Sequence, residues 1–154
     1  MRIISHRGCQ EGPNKEIENN PKQISKMINE GFDVEIDVFC DDKTGFYLGH
    51  DSPTHRVDID FLKTPGLWCH AKDPHSLSNM LQNNIHCFWH QQDDFTITSK
   101  NYIWAYPGIE TSGKNTVMLY PEKYPDIDCF KYYAICTDYP YEFLKKRRQV
   151  HEII

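Results

Sequence analysis

The chain has no apolar run approaching the ~20 residues of a membrane-spanning helix, and its mean hydropathy is −0.66. No transmembrane segment is expected. It has no surplus of positive charge either: 17 Lys and Arg stand against 22 Asp and Glu, a formal net charge of −5. That balance argues against a nucleic-acid partner held by phosphate contacts. The six cysteines (Cys9, Cys40, Cys69, Cys87, Cys129 and Cys136) form no C-x-x-C pair, which argues against a zinc knuckle. They are expected to be reduced and to pack as small hydrophobes. Only Cys9, directly after His6-Arg7-Gly8, has neighbours that suggest chemistry. The first residues hold no long apolar segment, so no signal peptide is expected and the expected compartment is cytoplasmic. No internal repeat and no Gly- or Ser-rich linker interrupts the 154 residues. The expectation is a single domain, residues 1–154, long enough to bury a sizeable core.

What the chain does contain is eight histidines and 13% aromatic residues, which suit a polar, aromatic-lined pocket. Its most informative stretch is Asp33-Val34-Glu35-Ile36-Asp37-Val38. The period-two alternation predicts a strand with Glu35 and Asp37 on one face and Val34, Ile36 and Val38 on the other. Two acids opposite a β-branched stripe are either the solvated side of a half-buried strand or a pair held for chemistry. The surroundings favour chemistry: one apolar run ends in Ser5-His6-Arg7-Gly8 before this stretch, and another in Leu48-Gly49-His50-Asp51 after it.

Residues 2–5 read as a strand. Asn20-Pro21 reads as a helix N-cap followed by Pro at the first helical position. Ile24, Met27 and Ile28 follow at helical spacing, and Gly31 suits the position after a helix end. Strand, helix and strand make a βαβ unit with parallel strands. Further strands are predicted over 46–49, 67–72, 85–89, 102–105, 116–119 and 133–136. Helices are predicted after Asp73-Pro74 and from residue 141, the latter with a basic, solvated face. No helix fits between the second and third strands. Polar residues sit late in their strands: His6, Asp37, His50, Lys72, His90 and Asp138. A parallel barrel gathers its chemistry in this way at the C-terminal rim of its strands. The expected fold is therefore α/β, a small (β/α) TIM-type barrel with several outer helices missing or shortened, since a full one usually needs ~250 residues. An open, incomplete α/β sheet is the alternative.

Three strings occur in order: His6-Arg7-Gly8, then Glu18-Asn19-Asn20-Pro21 leading to Glu35-Ile36-Asp37, then Gly49-His50-Asp51. Together they resemble the glycerophosphodiester phosphodiesterase family, within the superfamily of phospholipase-C-like phosphodiesterases. His70-Ala71-Lys72 aligns in order with that family's acid-x-Lys strand, and Thr137-Asp138-Tyr139-Pro140 with its Thr-Asp-x-Pro strand end. The resemblance spans nearly the whole chain, tightly in the first third and loosely from residue 86 to 125.

The resemblance implies a role for each matching residue. Glu35 and Asp37 match metal ligands, His6 and His50 an acid–base pair, and Arg7 and Lys72 cationic groups near the phosphate. The chemistry is coherent. Charge building on a phosphodiester's oxygens is stabilised by a divalent cation and by positioned Arg or Lys. Two histidines can take one proton from the nucleophile and give one to the leaving alkoxide. Two carboxylates on one face suit Mg or Ca. One position departs from the pattern: His70 stands where a third acid is usual. An imidazole ligand shifts preference toward Mn or Zn; alternatively His70 contacts the phosphate with metal bound weakly or not at all, or it is structural. His90 and Trp104 are further substrate-binding candidates beside Arg7 and Lys72, although aromatics at Trp104's spacing also read as core. Asp51 reads as an orienting partner for His50, and Asp138 more as a helix cap than a site residue. The implied activity is metal-assisted hydrolysis of a small phosphodiester. The alternative is a module that binds a phosphate ester or lipid headgroup without cleaving it; a phosphomonoesterase is a third reading.

Overall fold

The structure is a computed structural model that describes residues 1–111 and 113–152. Period-two segments become strands β1 (Arg2–His6), β2 (Asp33–Asp41), β3 (Gly45–Leu48), β4 (His55–Val57), β5 (Leu67–Ala71), β6 (Cys87–Phe88), β7 (Phe95–Ile97), β8 (Ile103–Ala105), β9 (Thr116–Leu119) and β10 (Ala134–Thr137). Four short helices accompany them: α1 (Pro21–Asn29), α2 (Ile59–Leu62), α3 (Pro74–Gln82) and α4 (Pro140–Glu152). As its sequence suggests, α1 starts on Asn20, whose side chain accepts from the Lys22 amide, and it buries Ile24 and Met27. Residues 59–62 form a helical turn capped by Asp58, whose side chain accepts from the Phe61 amide. β4 and β7, three residues each, lie outside the stretches whose sequence predicts a strand.

The expected TIM-type barrel with outer helices is not what forms. The ten strands make one mixed sheet. Seven run parallel in the order β6-β5-β2-β1-β10-β9-β8. β3 and β4 add antiparallel to β2, and β7 adds antiparallel to β8. The physical reason lies in the connections. Parallel neighbours need a crossover of about a dozen residues, usually helical. Here the described residues of the β8–β9 connection (106–111 and 113–115) and residues 120–133 supply it as loops, the second with two 3-10 turns at Pro121–Lys123 and Cys129–Lys131. Both loops are broken by proline and lack helical apolar spacing.

β2 carries three partners. It pairs β5 along one edge from Val34 to Val38. On its other edge the Glu35 carbonyl accepts from the Arg7 amide and the Asp37 carbonyl from the Gly49 amide. β1 therefore serves the first half of that edge, and β3 takes over where β1 ends. This exchange brings the chain around His50 beside Arg7.

The two faces of β2 meet different surroundings. Val34, Ile36 and Val38 are fully buried with Ile24, Met27, Leu62 and Met80, so the apolar stripe packs beneath the helices. On the opposite face Ile4, Trp68, Phe88, Trp104, Val117, Ala134 and Cys136 form a second apolar cluster. The Phe88 and Trp104 rings stack at 4.4 Å, although their strands stand at opposite ends of the parallel run. The sheet therefore curls until its ends meet through side chains, and no ladder joins them among the described residues. All six cysteines are unpaired, five of them buried. Among the described residues no helix is long and apolar enough to cross a membrane.

Candidate functional site

One residue-pair step beyond the second apolar cluster, the same strand faces turn polar. Ile4 is followed on its face by His6, Trp68 by His70, Phe88 by His90, and Cys136 by Asp138. Adjacent strands bring these positions level, with His6 beside Glu35 and Asp37 beside His70. Glu35, Asp37 and His70 each offer a ligand atom, and these atoms lie within 4.8 Å of one another.

Asp37 is the hub. Its side chain has 0% exposure. Asn19 clamps it twice: Nδ2 donates to Oδ2 at 2.9 Å, and Oδ1 accepts from the Asp37 amide at 2.9 Å. Lys72 Nζ donates to Oδ1 at 3.1 Å. Arg7 Nε lies 2.9 Å from Oδ2 but off the hydrogen-bond axis, so that contact is an ion pair only. His70 Nδ1 lies 3.3 Å from Oδ1. Burial pushes the Asp37 pKa up, but the His70 contact and the Arg7 and Lys72 charges outweigh it and hold the group well below the usual carboxylate range. Arg7 reaches Asp37 because the chain turns sharply after β1, with Arg7 itself left-handed at φ 54°. Its other anchor is Glu18, at 3.3 Å.

Glu35 is the opposite case. Its side chain is buried, its Oε2 has no hydrogen-bond partner, and the nearest basic nitrogens are His70 Nδ1 and His6 Nε2, both 3.8 Å away. Burial and the Asp37 charge raise its pKa, only partly offset by His6, Arg7 and His70. Neighbouring carboxylates so unequal in partners are pushed toward opposite protonation states.

His6 sits on the rim between acids. Its Nδ1 is 2.7 Å from Asp138 Oδ1, which leaves Nε2 facing Glu35. Burial lowers its pKa, and the Asp138 hydrogen bond and the Glu35 charge more than reverse this, so the net shift is upward. Asp138 is thus an orienting partner for His6 rather than the cap favoured by its sequence context. His50 stands apart: its side chain is 43% exposed and bonded to Asp51 at 2.7 Å. It lines a cavity of about 380 Å³ with Arg7, Glu18 and Asn19 rather than touching Glu35 or Asp37. Trp104 lies in the apolar cluster, not at the rim. Both His90 ring nitrogens are buried without a partner, and its carbonyl accepts from His70 Nε2 at 3.2 Å.

The donor set fits a divalent cation. With Nε2 turned to the His90 carbonyl at 3.2 Å, Nδ1 is the His70 nitrogen that faces the two carboxylates and would bind a cation held between them. The unpartnered Glu35 Oε2 is an acceptor lacking a positive partner, and burying such an atom alone costs ~1–3 kcal/mol. Two oxygens and one imidazole nitrogen suit Mn or Zn as well as Mg.

Asn19, Asp138 and Tyr120 belong to the site although the sequence does not single them out as site residues, and the context of Asp138 favours a helix cap. Asn19 and Tyr120 carry a faint signal, since each stands at the start or end of a regular element where chemistry-bearing residues collect. No family model, curated protein or solved structure matches the chain.

Proposed function

We propose that the protein cleaves phosphodiesters of small polar alcohols with the help of a divalent cation held by Glu35, Asp37 and His70. The observation that carries this reading is the Glu35–Asp37–His70 set, with both carboxylates buried, directly beside the Asp138-oriented His6. The resemblance of His6-Arg7-Gly8, Glu35-Ile36-Asp37 and Gly49-His50-Asp51 to glycerophosphodiester phosphodiesterases points the same way. The cation, when bound, would stabilise charge developing on the phosphoryl oxygens.

The chain's own residues supply the rest. His6 Nδ1–H donates a hydrogen bond to the Asp138 carboxylate, which leaves Nε2 to accept a proton from the nucleophile, either a substrate hydroxyl or water. Arg7 and Lys72 keep the rim cationic on either side of Asp37, so a phosphate anion approaching Glu35 meets positive charge. His50, in the open cavity beside Arg7, gives a proton to the departing alkoxide from the solvent side.

One observation favours the second reading, a phosphate-ester binding module: Asp37 already has Asn19, Lys72 and Arg7 as partners, which compete with a cation for its oxygens. The deciding experiment is hydrolysis of bis(p-nitrophenyl) phosphate and of glycerophosphodiesters with Mg²⁺, Ca²⁺, Mn²⁺, Zn²⁺ or EDTA. Wild type, His6→Ala, His50→Ala and Glu35→Gln are compared. Cation-dependent turnover is expected, falling ~10²-fold or more in His6→Ala. Turnover indifferent to all three substitutions overturns the assignment. Absence of turnover, with phosphate-ester binding that depends on Arg7, selects the module.

A further inference from the structure

Tyr120 follows β9 and has φ 52° and ψ 55°, the left-handed region. A bulky side chain rarely adopts that conformation, and the strain is of order ~1–3 kcal/mol. Glycine or asparagine would make the same turn with less strain. What tyrosine adds is a ring laid edge-on to His6, centroids 5.1 Å apart at 82°. Lys123 Nζ sits 4.0 Å above that ring, and the Tyr120 amide donates to the Cys136 carbonyl at 2.8 Å. Backbone and ring are therefore both fixed.

The hydroxyl is placed unusually. It is 3.3 Å from His6 Nε2 and 3.5 Å from Nδ1. Near-equal distances put the oxygen across the imidazole face, since an oxygen on the lone-pair axis of one nitrogen would be far from the other. Its proton therefore has no in-line acceptor. Arg7, Glu35 and Asp138 are its charged neighbours, and burial with the Asp138 charge raises its pKa, so the O–H stays a donor across the working pH range.

We infer that the Tyr120 hydroxyl is a catalytic hydrogen-bond donor to a non-bridging phosphoryl oxygen of the substrate, acting beside His6 and Arg7. This rests on the phosphodiester reading of the same rim. The hydroxyl keeps its proton throughout. It strengthens one hydrogen bond as charge builds on that oxygen, a contribution made mainly in the transition state.

Tyr120→Phe tests this, because it keeps the ring, the Lys123 contact and the turn. With a glycerophosphodiester the variant is expected to lose ~10²-fold in kcat with KM little changed. The discriminating readout is sulfur substitution at each non-bridging oxygen of the substrate. Sulfur is a weak hydrogen-bond acceptor, so the rate loss it causes at one of the two positions is expected to shrink in Tyr120→Phe. A merely structural role leaves both losses intact. Wild-type-like kcat, or full sulfur effects at both positions in the variant, overturns the inference while the functional reading stands. A wild type that turns over no phosphodiester removes both.

Discussion

Glu35→Gln should make the cation-free protein more stable while removing its response to cations. In wild type the Glu35 carboxyl is 3% exposed, Oε2 has no partner, and the Asp37 charge lies on the adjacent strand position of the same face. Burial and Asp37 raise its pKa above the ordinary 4.5. The folded state therefore binds the proton more tightly than the unfolded state does. Stability from this group is full at low pH, falls as pH rises from about 4.5 through the folded value, and stays reduced above it. Gln keeps the shape and carries no charge, so it escapes that loss. The relief comes from removing a buried negative charge beside Asp37, since Gln retains the acceptor oxygen, and is ~2 kcal/mol. For a domain of this size that is ~4–8 °C in Tm. Calorimetry in EDTA at pH 8 should show the variant melting higher by that amount, with the difference closing at acidic pH. Added Mn²⁺ at ~100 times its Kd should raise wild type by ~2.7 kcal/mol, whereas the variant should respond weakly. A variant less stable than wild type in EDTA, or one that keeps the full Mn²⁺ response, would refute the reasoning.

Two further outcomes follow from the geometry. Asp138→Asn removes the carboxylate that orients His6 and raises its pKa; kcat should fall ~10²-fold or more, and the acid limb of the pH–rate profile should move to lower pH. An unshifted limb would detach Asp138 from His6. Gly49→Ala places a Cβ 2.0 Å from the Ser52 carbonyl oxygen, at φ 152°. The turn that carries His50 must open, with a loss of ~2–3 kcal/mol in chemical denaturation; a wild-type midpoint would mean that the turn is arranged differently.

Much of the local structure was legible in the residues. Alternation in 33–38 placed Glu35 and Asp37 on one face, and Asn20-Pro21 marked the start of α1. Polar residues late in their strands did mark the end of the sheet where the cluster forms. The barrel expectation failed because that signal reports which strand end carries chemistry, not how strands are joined. Short intervals without helical spacing fold as hairpins and loops, and the antiparallel additions β3, β4 and β7 have no distinctive signature in so few residues. Trp104 shows the same limit: period two assigns it a face but not a height along the strand, and its height puts it against Phe88 in the core.

Local sequence settles which side chains share a face, because strand periodicity is a property of the nearest residues alone. It determined the buried stripe, the capped helices and the acidic pair of β2. What those acids meet is a matter of long-range packing. Asp138 reaches His6 across 132 positions of chain, Lys72 reaches Asp37 across 35, and the left-handed turns at Arg7, Asn19 and Tyr120 aim their side chains inward. Such contacts depend on strand order and register, which arise from packing the whole sheet at once. The unequal environments of Glu35 and Asp37, on which the proposed chemistry depends, are set at that level.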